Sequence, residues 1–252
     1  MVRSLRVNGH MLTIESARSS SDYSQTDCET WRLLVARHHR NVCANACREY
    51  LYGLEKLDRH ARSLSRLSAI NRRLLFHTPW QLTAASGLSD DAFFFREVAR
   101  KRFPVAIEIR SRAELEFAAL PDMFHDIYGH VPYLLTRRGA LAHRLFGEVA
   151  LRGNFDRDLM RRLAALFWFT FETGLVREDG LVKVLGAAIV TSTAEMRNIR
   201  EAAANIEAFD LDRVLEASFQ PRELQPRYFV LSSFAEVFSA LRRLSPRVLH
   251  QA

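Results

Sequence analysis

The chain has 252 residues, of which 48% are hydrophobic and 26% are charged, values typical of a folded globular protein and not of a disordered or low-complexity one. Its apolar runs fall short of the roughly 20 residues that a membrane-spanning helix needs. The formal net charge is +7, but nearly all of the basic residues are arginines that stand beside acids, as in Arg96-Glu97 and Arg222-Glu223, so we interpret them as solvated faces and ion pairs and not as a nucleic-acid surface.

The N-terminal segment, residues 1–23, is polar and contains the run Ser19-Ser20-Ser21, so we expect it to be poorly ordered. From Thr30 to Leu57 apolar residues recur at helical spacing, which predicts two helices, and Leu64 to Leu75 predicts a shorter third one. Residues 24–252 are expected to form one domain, since this length supports a single large core.

The three cysteines are Cys28, Cys43 and Cys47. An odd count without a C-x-x-C pair disfavours both a disulfide framework and a structural zinc site. We therefore expect free thiols and a location in the reducing cytoplasm.

A helix is predicted from Asp91 to Arg102, and it carries three consecutive phenylalanines, at positions 93 to 95. Such a run is most often part of a hydrophobic core. The next segment, Phe103 to Ile109, alternates as a β-strand does, and Arg110 stands at its end.

The stretch from Leu120 to Leu135, LPDMFHDIYGHVPYLL, holds two histidines, His125 and His130, in an apolar frame. Buried imidazoles usually have a partner, because an unpaired buried polar group costs about 1–3 kcal/mol. On an ideal α-helix, residues five apart point about 140° away from each other. Gly129 and Pro132 favour a helix end at this point, which would let the two rings converge.

Two further helices are predicted, from Ala140 to Val149 and from Asp156 to Thr173. The second contains Glu172, the only acid in a long apolar stretch, where a carboxylate is costly unless it is paired or bound to a metal. Two imidazoles and one carboxylate match the facial triad of non-haem Fe(II) oxygenases, and zinc accepts the same ligands. The ligand types alone leave both metals open.

The C-terminal part contains more short elements. Leu175 to Leu185 predicts a hairpin, because Glu178-Asp179-Gly180 lies between apolar runs. Residues 202–209 are expected to form a helix or a covering loop, and 210–215 a helix. Pro226 to Phe234 predicts a strand that leads into a helix from Ala235 to Leu244. The fold class predicted is α+β, mainly α-helical, with a few short strands.

Three segments, PDMFHDIYGHVP, FWFTFETGL and GAAIVTSTAE, resemble the signature segments of the pterin-dependent aromatic amino acid hydroxylases. The match runs in order from about Trp31 to Phe238, and the chain is most similar to the single-domain bacterial phenylalanine hydroxylases. The resemblance implies a single catalytic domain of that type around a non-haem iron site. Its Fe(II) ligands would be His125, His130 and Glu172.

The same resemblance implies roles for the other site residues. A tetrahydropterin, either tetrahydrobiopterin or a related compound, would stack on Phe94, with O2 as the cosubstrate. Arg110 would hold the carboxylate of the amino acid, which suits a guanidinium because it binds carboxylates bidentately. Trp168 would form a wall of the ring pocket. The expected reaction is the monooxygenation of phenylalanine to tyrosine.

The sequence departs from the family pattern near the substrate. Thr173 stands where the family usually has Phe, and Thr191 and Thr193 stand in a segment that usually begins Ser-Ser; Thr173 and Thr191 are expected to line the substrate site. Tyr128 is bulkier than the usual Leu or Phe, and Ala194 replaces a Gly. A smaller, polar residue at 173 leaves two alternatives open: meta-hydroxylation of phenylalanine, or hydroxylation of another aromatic amino acid.

Two other classes of function are remote alternatives: a zinc hydrolase that uses the same ligands, and a non-catalytic basic binding protein. Neither explains the matches at Phe94 and Arg110. The expected partner is a small aromatic amino acid, with no nucleic acid and no membrane. Because no sustained heptad repeat follows Phe238, we expect a monomer.

Overall fold

The computed structural model describes residues 4–7, 10–13, 23–85, 90–201 and 205–244. Its α-helices are, in chain order, α1 (Gln25–Asn45), α2 (Arg48–Leu57), α3 (Arg59–Arg62), α4 (Leu67–Leu74), α5 (Asp91–Ala99), α6 (Val131–Leu134), α7 (Arg137–Arg152), α8 (Arg157–Phe167), α9 (Ala187–Val190), α10 (Thr193–Arg200), α11 (Leu211–Glu216) and α12 (Ala235–Leu244). Two π-helical segments, π1 (His125–His130) and π2 (Trp168–Glu172), continue directly into α6 and from α8. No helix among the described residues is long and apolar enough to cross a membrane.

The strands among the described residues are short and form three small sheets. They are β1 (Ser4–Val7), β2 (His10–Thr13), β3 (Gln81–Ala85), β4 (Arg102–Ala106), β5 (Leu175–Glu178), β6 (Leu181–Val184), β7 (Asn205–Ala208) and β8 (Arg227–Leu231). The strands β1 and β2 pair antiparallel, and β3 and β4 pair parallel. The third sheet has the order β6-β5-β8-β7, in which β5 pairs antiparallel with β6 and parallel with β8.

Local signals explain where several of these elements begin. Ser24 and Asp27 form a capping box at the start of α1, since the Ser24 side chain accepts from the Asp27 amide and the Asp27 carboxylate accepts from the Ser24 amide. The β5–β6 hairpin turns at Asp179 and Gly180, which both have positive φ, as a tight two-residue hairpin requires. The predicted hairpin is therefore confirmed.

The core lies among the helices that surround the two π-helical segments. The helix α7 packs against α5, α6 and α12, while α2 packs against α6. A cluster of aromatic rings fills the space between α5, α7 and α8, where Phe95 stacks on Phe146 with ring centroids 6.0 Å apart. Both rings contact Phe167 edge-on at the end of α8. This cluster forms the apolar floor on which the functional site rests.

The predicted element types are confirmed along most of the described chain, but several bounds and one element type differ. The helix α1 begins at Gln25, before the predicted start at Thr30, and β4 ends at Ala106, before the predicted end at Ile109. The helix α5 ends at Ala99, three residues early, because Lys101 adopts φ 58° and turns the chain into β4. Residues 205–208 form strand β7 and neither a helix nor a loop, because they pair in parallel with β8. A further difference, at the two histidines, is described with the site. The N-terminal segment predicted to be poorly ordered lies mostly outside the described residues, apart from β1 and β2.

Candidate metal centre and substrate pocket

The two histidines of LPDMFHDIYGHVPYLL lie on one continuous helical stretch. The prediction of a helix end between them is wrong, since π1 runs from His125 to His130 and α6 follows at once. The amide of Val131 donates to the carbonyl of Asp126, five residues back, as in a π-helix. This wider turn brings residues five apart close together, so the rings meet without a break in the helix.

Gly129 and Pro132 have other roles than ending the helix. A Cβ at Gly129 would lie 2.9 Å from the Cβ of Ala187, so this glycine permits the close approach of α9 to π1. Pro132 lies in the first turn of α6, where proline is tolerated. Gly129 and Pro132 therefore mark close packing and the start of a helix, and not a helix end.

The third candidate ligand, Glu172, lies on the second π-helical segment and faces both rings. Its Oε1 lies 3.0 Å from His130 Nε2, its Oε2 lies 3.3 Å from His125 Nε2, and the two Nε2 atoms are 3.1 Å apart. Adjacent ligands of an octahedral metal, each about 2.1 Å from the ion, lie about 3.0 Å from one another. The triad of His125, His130 and Glu172 therefore has the spacing of three mutually adjacent metal ligands.

Asp126 is a rival for the carboxylate position. Its carboxylate, with the ring nitrogens of His125 and His130, gives ligand atoms that all lie within 4.8 Å of one another. However, Asp126 Oδ2 accepts a hydrogen bond of 2.6 Å from the amide of Ala106 on β4. Since both oxygens of Glu172 face Nε2 atoms at closer range, Glu172 fits the third position better.

The charges around the triad also suit a cation. Burial raises the pKa of the Glu172 carboxyl, but the facing imidazoles of His130 and His125 outweigh this and hold the pKa well below its usual range. Burial lowers the pKa of both histidines; the Glu172 carboxylate outweighs this at His125, whose pKa is raised, but not at His130, whose pKa stays lowered. An ionised carboxylate thus faces two nitrogens at one point, and a metal ion there would satisfy all three.

Thr191 orients the first of these rings. Its hydroxyl donates to the carbonyl of Ala187 at 2.7 Å and lies 3.2 Å from His125 Nδ1. Because the hydroxyl proton is used on Ala187, the oxygen accepts from Nδ1–H, which leaves the lone pair of Nε2 directed at the triad. His130 Nδ1 is buried without a hydrogen-bond partner among the described residues.

Arg110 is held rigidly at the edge of the site, with 3% of its side chain exposed. Its Nε and Nη2 donate to the two oxygens of Asp122 at 3.1 and 2.7 Å, and Nη1 donates to the Thr191 carbonyl at 3.0 Å. A guanidinium has five N–H groups. Two therefore remain for a ligand once the contacts to the described residues are counted. Asp122 had no predicted role, although a buried acid in an apolar frame is itself a signal of such a pair.

One cavity of about 230 Å³ joins these groups. It is lined by all eight residues predicted for the site, which are Phe94, Arg110, His125, His130, Trp168, Glu172, Thr173 and Thr191. Tyr128 and Thr193 do not line it, and the hydroxyl of Tyr128 instead meets His39 of α1 at 3.1 Å. Of the sequence departures near the substrate, only those at Thr173 and Thr191 therefore lie on the cavity wall.

Aromatic side chains form much of that wall. Phe94 packs edge-on against Phe95, Phe103 and Phe167, with centroid distances of 5.1 to 5.6 Å. The indole of Trp168 stacks on Phe219, with centroids 4.8 Å apart and planes at 12°.

Thr173 is fully buried and its hydroxyl is already paired. It donates to the Trp168 carbonyl at 2.9 Å, and the Thr173 amide donates to the same carbonyl at 2.8 Å, so both close the end of π2. The hydroxyl is therefore committed to the backbone, and Thr173 contributes shape and not a polar contact to the cavity.

The chain is similar to known proteins in family, sequence and fold. Residues 15–251 match the family model described as biopterin-dependent aromatic amino acid hydroxylase. The chain is 34% identical to phenylalanine-4-hydroxylase of Ralstonia nicotianae over 87% of this chain and 70% of that protein. It is 32% identical to phenylalanine-4-hydroxylase of Chromobacterium violaceum over 86% and 73%. The crystal structure of the C. violaceum enzyme with bound iron(III) and 7,8-dihydrobiopterin superposes with a TM-score of 0.83 at 31% identity, covering 93% of this chain and 86% of that one.

Proposed function

Because this chain belongs to the biopterin-dependent aromatic amino acid hydroxylases, we propose that it hydroxylates the ring of free phenylalanine with iron, a tetrahydropterin and O2. The observation that carries this is the juxtaposition in one cavity of three converging metal-ligand atoms and a buried guanidinium with two N–H groups left for a carboxylate. The family assignment also removes the zinc hydrolase and the basic binding protein from consideration.

We assign the metal to the triad of His125, His130 and Glu172. Bound iron and tetrahydropterin together would supply the activation of O2, which no protein side chain provides. The protein's own residues bind and orient the reactants. The Thr191 hydroxyl keeps His125 in the tautomer whose Nε2 faces the metal position.

We assign the carboxylate of the amino acid to Arg110. Asp122 holds the guanidinium plane by two hydrogen bonds, so the two remaining N–H groups are fixed in direction before the substrate arrives. This preorganisation reduces the entropy lost on binding. The ring would then lie against Trp168. Phe94 is held by three edge-on neighbours and would offer the surface on which a pterin stacks.

The size of Thr173 favours a second candidate product, meta-hydroxyphenylalanine. The Thr173 hydroxyl is bonded to the backbone, and this small side chain leaves more room for the substrate ring than a phenylalanine would. The para and meta carbons of one ring differ in position by an ångström or two, and about 1.4 kcal/mol changes a product ratio tenfold. The para product remains the principal proposal.

We further propose that the protein is a cytoplasmic monomer. The support for the cytoplasmic location is the state of the cysteines, since Cys28, Cys43 and Cys47 are all free thiols, as in proteins of reducing compartments. Light scattering of the purified protein tests the monomer, and a dimer or tetramer would contradict it.

The reaction itself is tested with the purified iron(II) protein. It is incubated with phenylalanine, tyrosine or tryptophan in turn, with tetrahydrobiopterin and O2, and the products are separated by chromatography against the hydroxylated isomers. We expect tyrosine from phenylalanine, dependent on both iron and the pterin. An absence of any hydroxylated amino acid from the iron-loaded protein would contradict the proposal.

The ligand assignment is tested by His125→Ala, His130→Ala and Glu172→Gln, each measured for iron content and turnover. Each variant should lose iron and activity while keeping its circular dichroism spectrum, since each removes one of three ligands. Asp126→Asn is the matched control, because it changes the rival carboxylate. Retention of iron by Glu172→Gln and its loss in Asp126→Asn would reverse the assignment.

A further inference from the structure

Trp168 is held at the cavity wall by the side chain of Gln225. We propose that Gln225 is a positioning residue that fixes the indole plane of Trp168 and holds residues 217–226 over the cavity, and so sets where the substrate ring lies. The proposal rests on the proposed function, since it concerns the placement of an aromatic substrate. Gln225 itself lines the cavity, but its hydrogen bonds go to Trp168, Gln220 and Glu223 and not to the triad or Arg110.

The hydrogen bonds of Gln225 fix the orientation of its amide. Its Oε1 accepts from Trp168 Nε1 at 3.1 Å, and its Nε2 donates to the carbonyls of Gln220 and Glu223 at 2.9 and 2.8 Å. Both amide hydrogens are thus used on residues 217–226. If the amide turned over, its NH2 group would face the indole N–H, and three groups would lose their partners. Gln225 is 3% exposed, so water does not replace them.

The backbone of Gln225 is fastened to the helix behind it. Its amide donates to Glu195 Oε1 at 3.1 Å, and its carbonyl accepts from Asn198 Nδ2 at 2.8 Å, both on α10. The Tyr228 hydroxyl bonds to the other oxygen of Glu195 and accepts from Asn198. Gln225 therefore links three parts of the site: the rigid α10, the covering segment and the indole.

Gln225 acts on the cavity wall through the aromatic rings of Trp168 and Phe219. Phe219 and Pro221, which the Gln225 amide holds within residues 217–226, line the cavity, and Phe219 stacks on the Trp168 indole. Trp168 is also the first residue of π2, whose last residue is the candidate ligand Glu172. A change in the indole position is thus expected to move the wall facing the substrate ring, with no change in the residues of the triad.

The test compares near-isosteric variants. Gln225→Met keeps the volume but removes the acceptor and both donors. Gln225→Glu keeps the acceptor and, because a buried carboxyl that faces two carbonyls takes up a proton, also keeps one donor. A lost hydrogen bond is worth a factor of about 2 to 10. We expect Gln225→Met to raise the KM for phenylalanine about 2- to 10-fold and to change the ratio of hydroxylated isomers, and Gln225→Glu to restore part of both.

A double-mutant cycle shows whether the effect passes through the indole. Trp168→Phe keeps a ring at this position but removes the N–H. In that background Gln225→Met should change KM and isomer ratio much less than in the wild type. Full additivity would overturn the proposal, since Gln225 would then act only through the general fold.

A readout that needs no turnover separates this proposal from the proposed function. The chain has three tryptophans, so indole N–H resonances of ¹⁵N-labelled protein give three signals, and Trp168→Phe identifies one of them. In Gln225→Met that signal should shift and exchange faster with solvent, while those of the buried Trp31 and Trp80 stay fixed. An unmoved Trp168 signal would overturn the positioning role even in an active enzyme. If Gln225→Met does not fold, Gln225→Glu is measured in the same way.

Discussion

At the scale of single residues, the site depends on side chains that direct other side chains. Asp122 holds Arg110, and Thr191 fixes the tautomer of His125. Asp122 and Thr191 are both buried, and each makes a further hydrogen bond with the backbone, as Thr191 does with the Ala187 carbonyl. Such outer partners typically change metal affinity or activity 10- to 100-fold when they are removed.

Thr191→Val tests this dependence at the metal. The variant keeps the shape but loses the acceptor for His125 Nδ1–H, so the ring is free to rotate and to change tautomer. We expect iron affinity to fall about 10- to 100-fold, measured by anaerobic titration. Thr193→Val is the matched control, because the Thr193 hydroxyl is buried without a partner among the described residues and lies off the cavity wall. Equal iron affinity in the two variants would contradict the role of Thr191.

Position 173 is the residue at which the product is expected to be decided. Thr173→Phe should fill the space that the smaller threonine leaves beside the substrate ring. The isomer ratio should then shift toward para, as measured by chromatography of the tyrosine isomers. Thr173→Val, which removes only the hydroxyl bonded to the Trp168 carbonyl, should leave that ratio close to the wild type. If Thr173→Phe instead lowers stability by about 1–3 kcal/mol with no change in isomers, the side chain only packs in the core.

At the scale of elements, the two π-helical segments decide the geometry of the site. Each carries candidate ligands, and each replaces the α-helical hydrogen bond by one that spans five residues, as from the Thr173 amide to the Trp168 carbonyl. The extra residue per turn directs the side chains of π1 and π2 at the same point. Close packing of α9 against Gly129 keeps π1 in place.

Gly129→Ala tests the contact between α9 and π1. The new methyl group would meet the Ala187 Cβ at 2.9 Å, so one element has to move. We expect the free energy of unfolding to fall by about 1–3 kcal/mol in urea titrations, together with weaker iron binding. The double variant Gly129→Ala with Ala187→Gly removes the closest contact and leaves contacts of 3.3 Å to the Cα and carbonyl oxygen of residue 187, so it should recover part of both losses. A failure to recover would show that the glycine is needed for another reason.

Much of the fold could be predicted because its signals are local. The hairpin turn at Asp179-Gly180 involves adjacent residues, and the apolar spacing that predicted α1 and α2 involves residues three or four positions apart. The π-helical segments could not be predicted, because α and π turns differ by a one-residue shift in hydrogen bonding that tertiary packing selects. For the same reason β7 was missed, since its partner β8 comes about 20 residues later.

The candidate site divides in the same way. The triad, Phe94 and Arg110 were predicted from their motifs and all line one cavity. Gln225 was missed because its role depends on three hydrogen bonds to Trp168, Gln220 and Glu223, of which the indole bond spans 57 residues. A lone glutamine in a polar segment carries no such signal in the sequence.

At the scale of the whole molecule, two interior histidines tie stability to pH. Burial lowers the pKa of His143 to about 3 and that of His38 to about 4. The folded protein therefore keeps both rings neutral at a pH where the unfolded chain, with an ordinary pKa of about 6.5, takes up protons. Their contribution to stability is complete above about pH 6.5 and is lost as the pH falls toward the folded values.

His143→Leu tests this linkage in the iron-free protein. Between pH 6 and pH 4.5 the free energy of unfolding of the wild type should fall more steeply than that of the variant, by up to about 1.4 kcal/mol per pH unit. Above pH 7.5 the two slopes should coincide, because His143 then binds no proton in either the folded or the unfolded protein. Parallel curves across the whole range would show that His143 is not kept neutral in the folded state. Urea titrations at each pH give the required values.

The position of β5 in its sheet has a consequence for the order of folding. This strand follows Glu172 closely, yet it is held on one side by β8, where Leu175 pairs with Val230. Two parallel strands that are this far apart in sequence pair slowly, since the chain between them must first be ordered. During synthesis the three candidate ligands emerge well before β8 does. We therefore expect the metal site to form late in folding. Iron would then bind a nearly folded protein, so it should slow unfolding and have little effect on the folding rate.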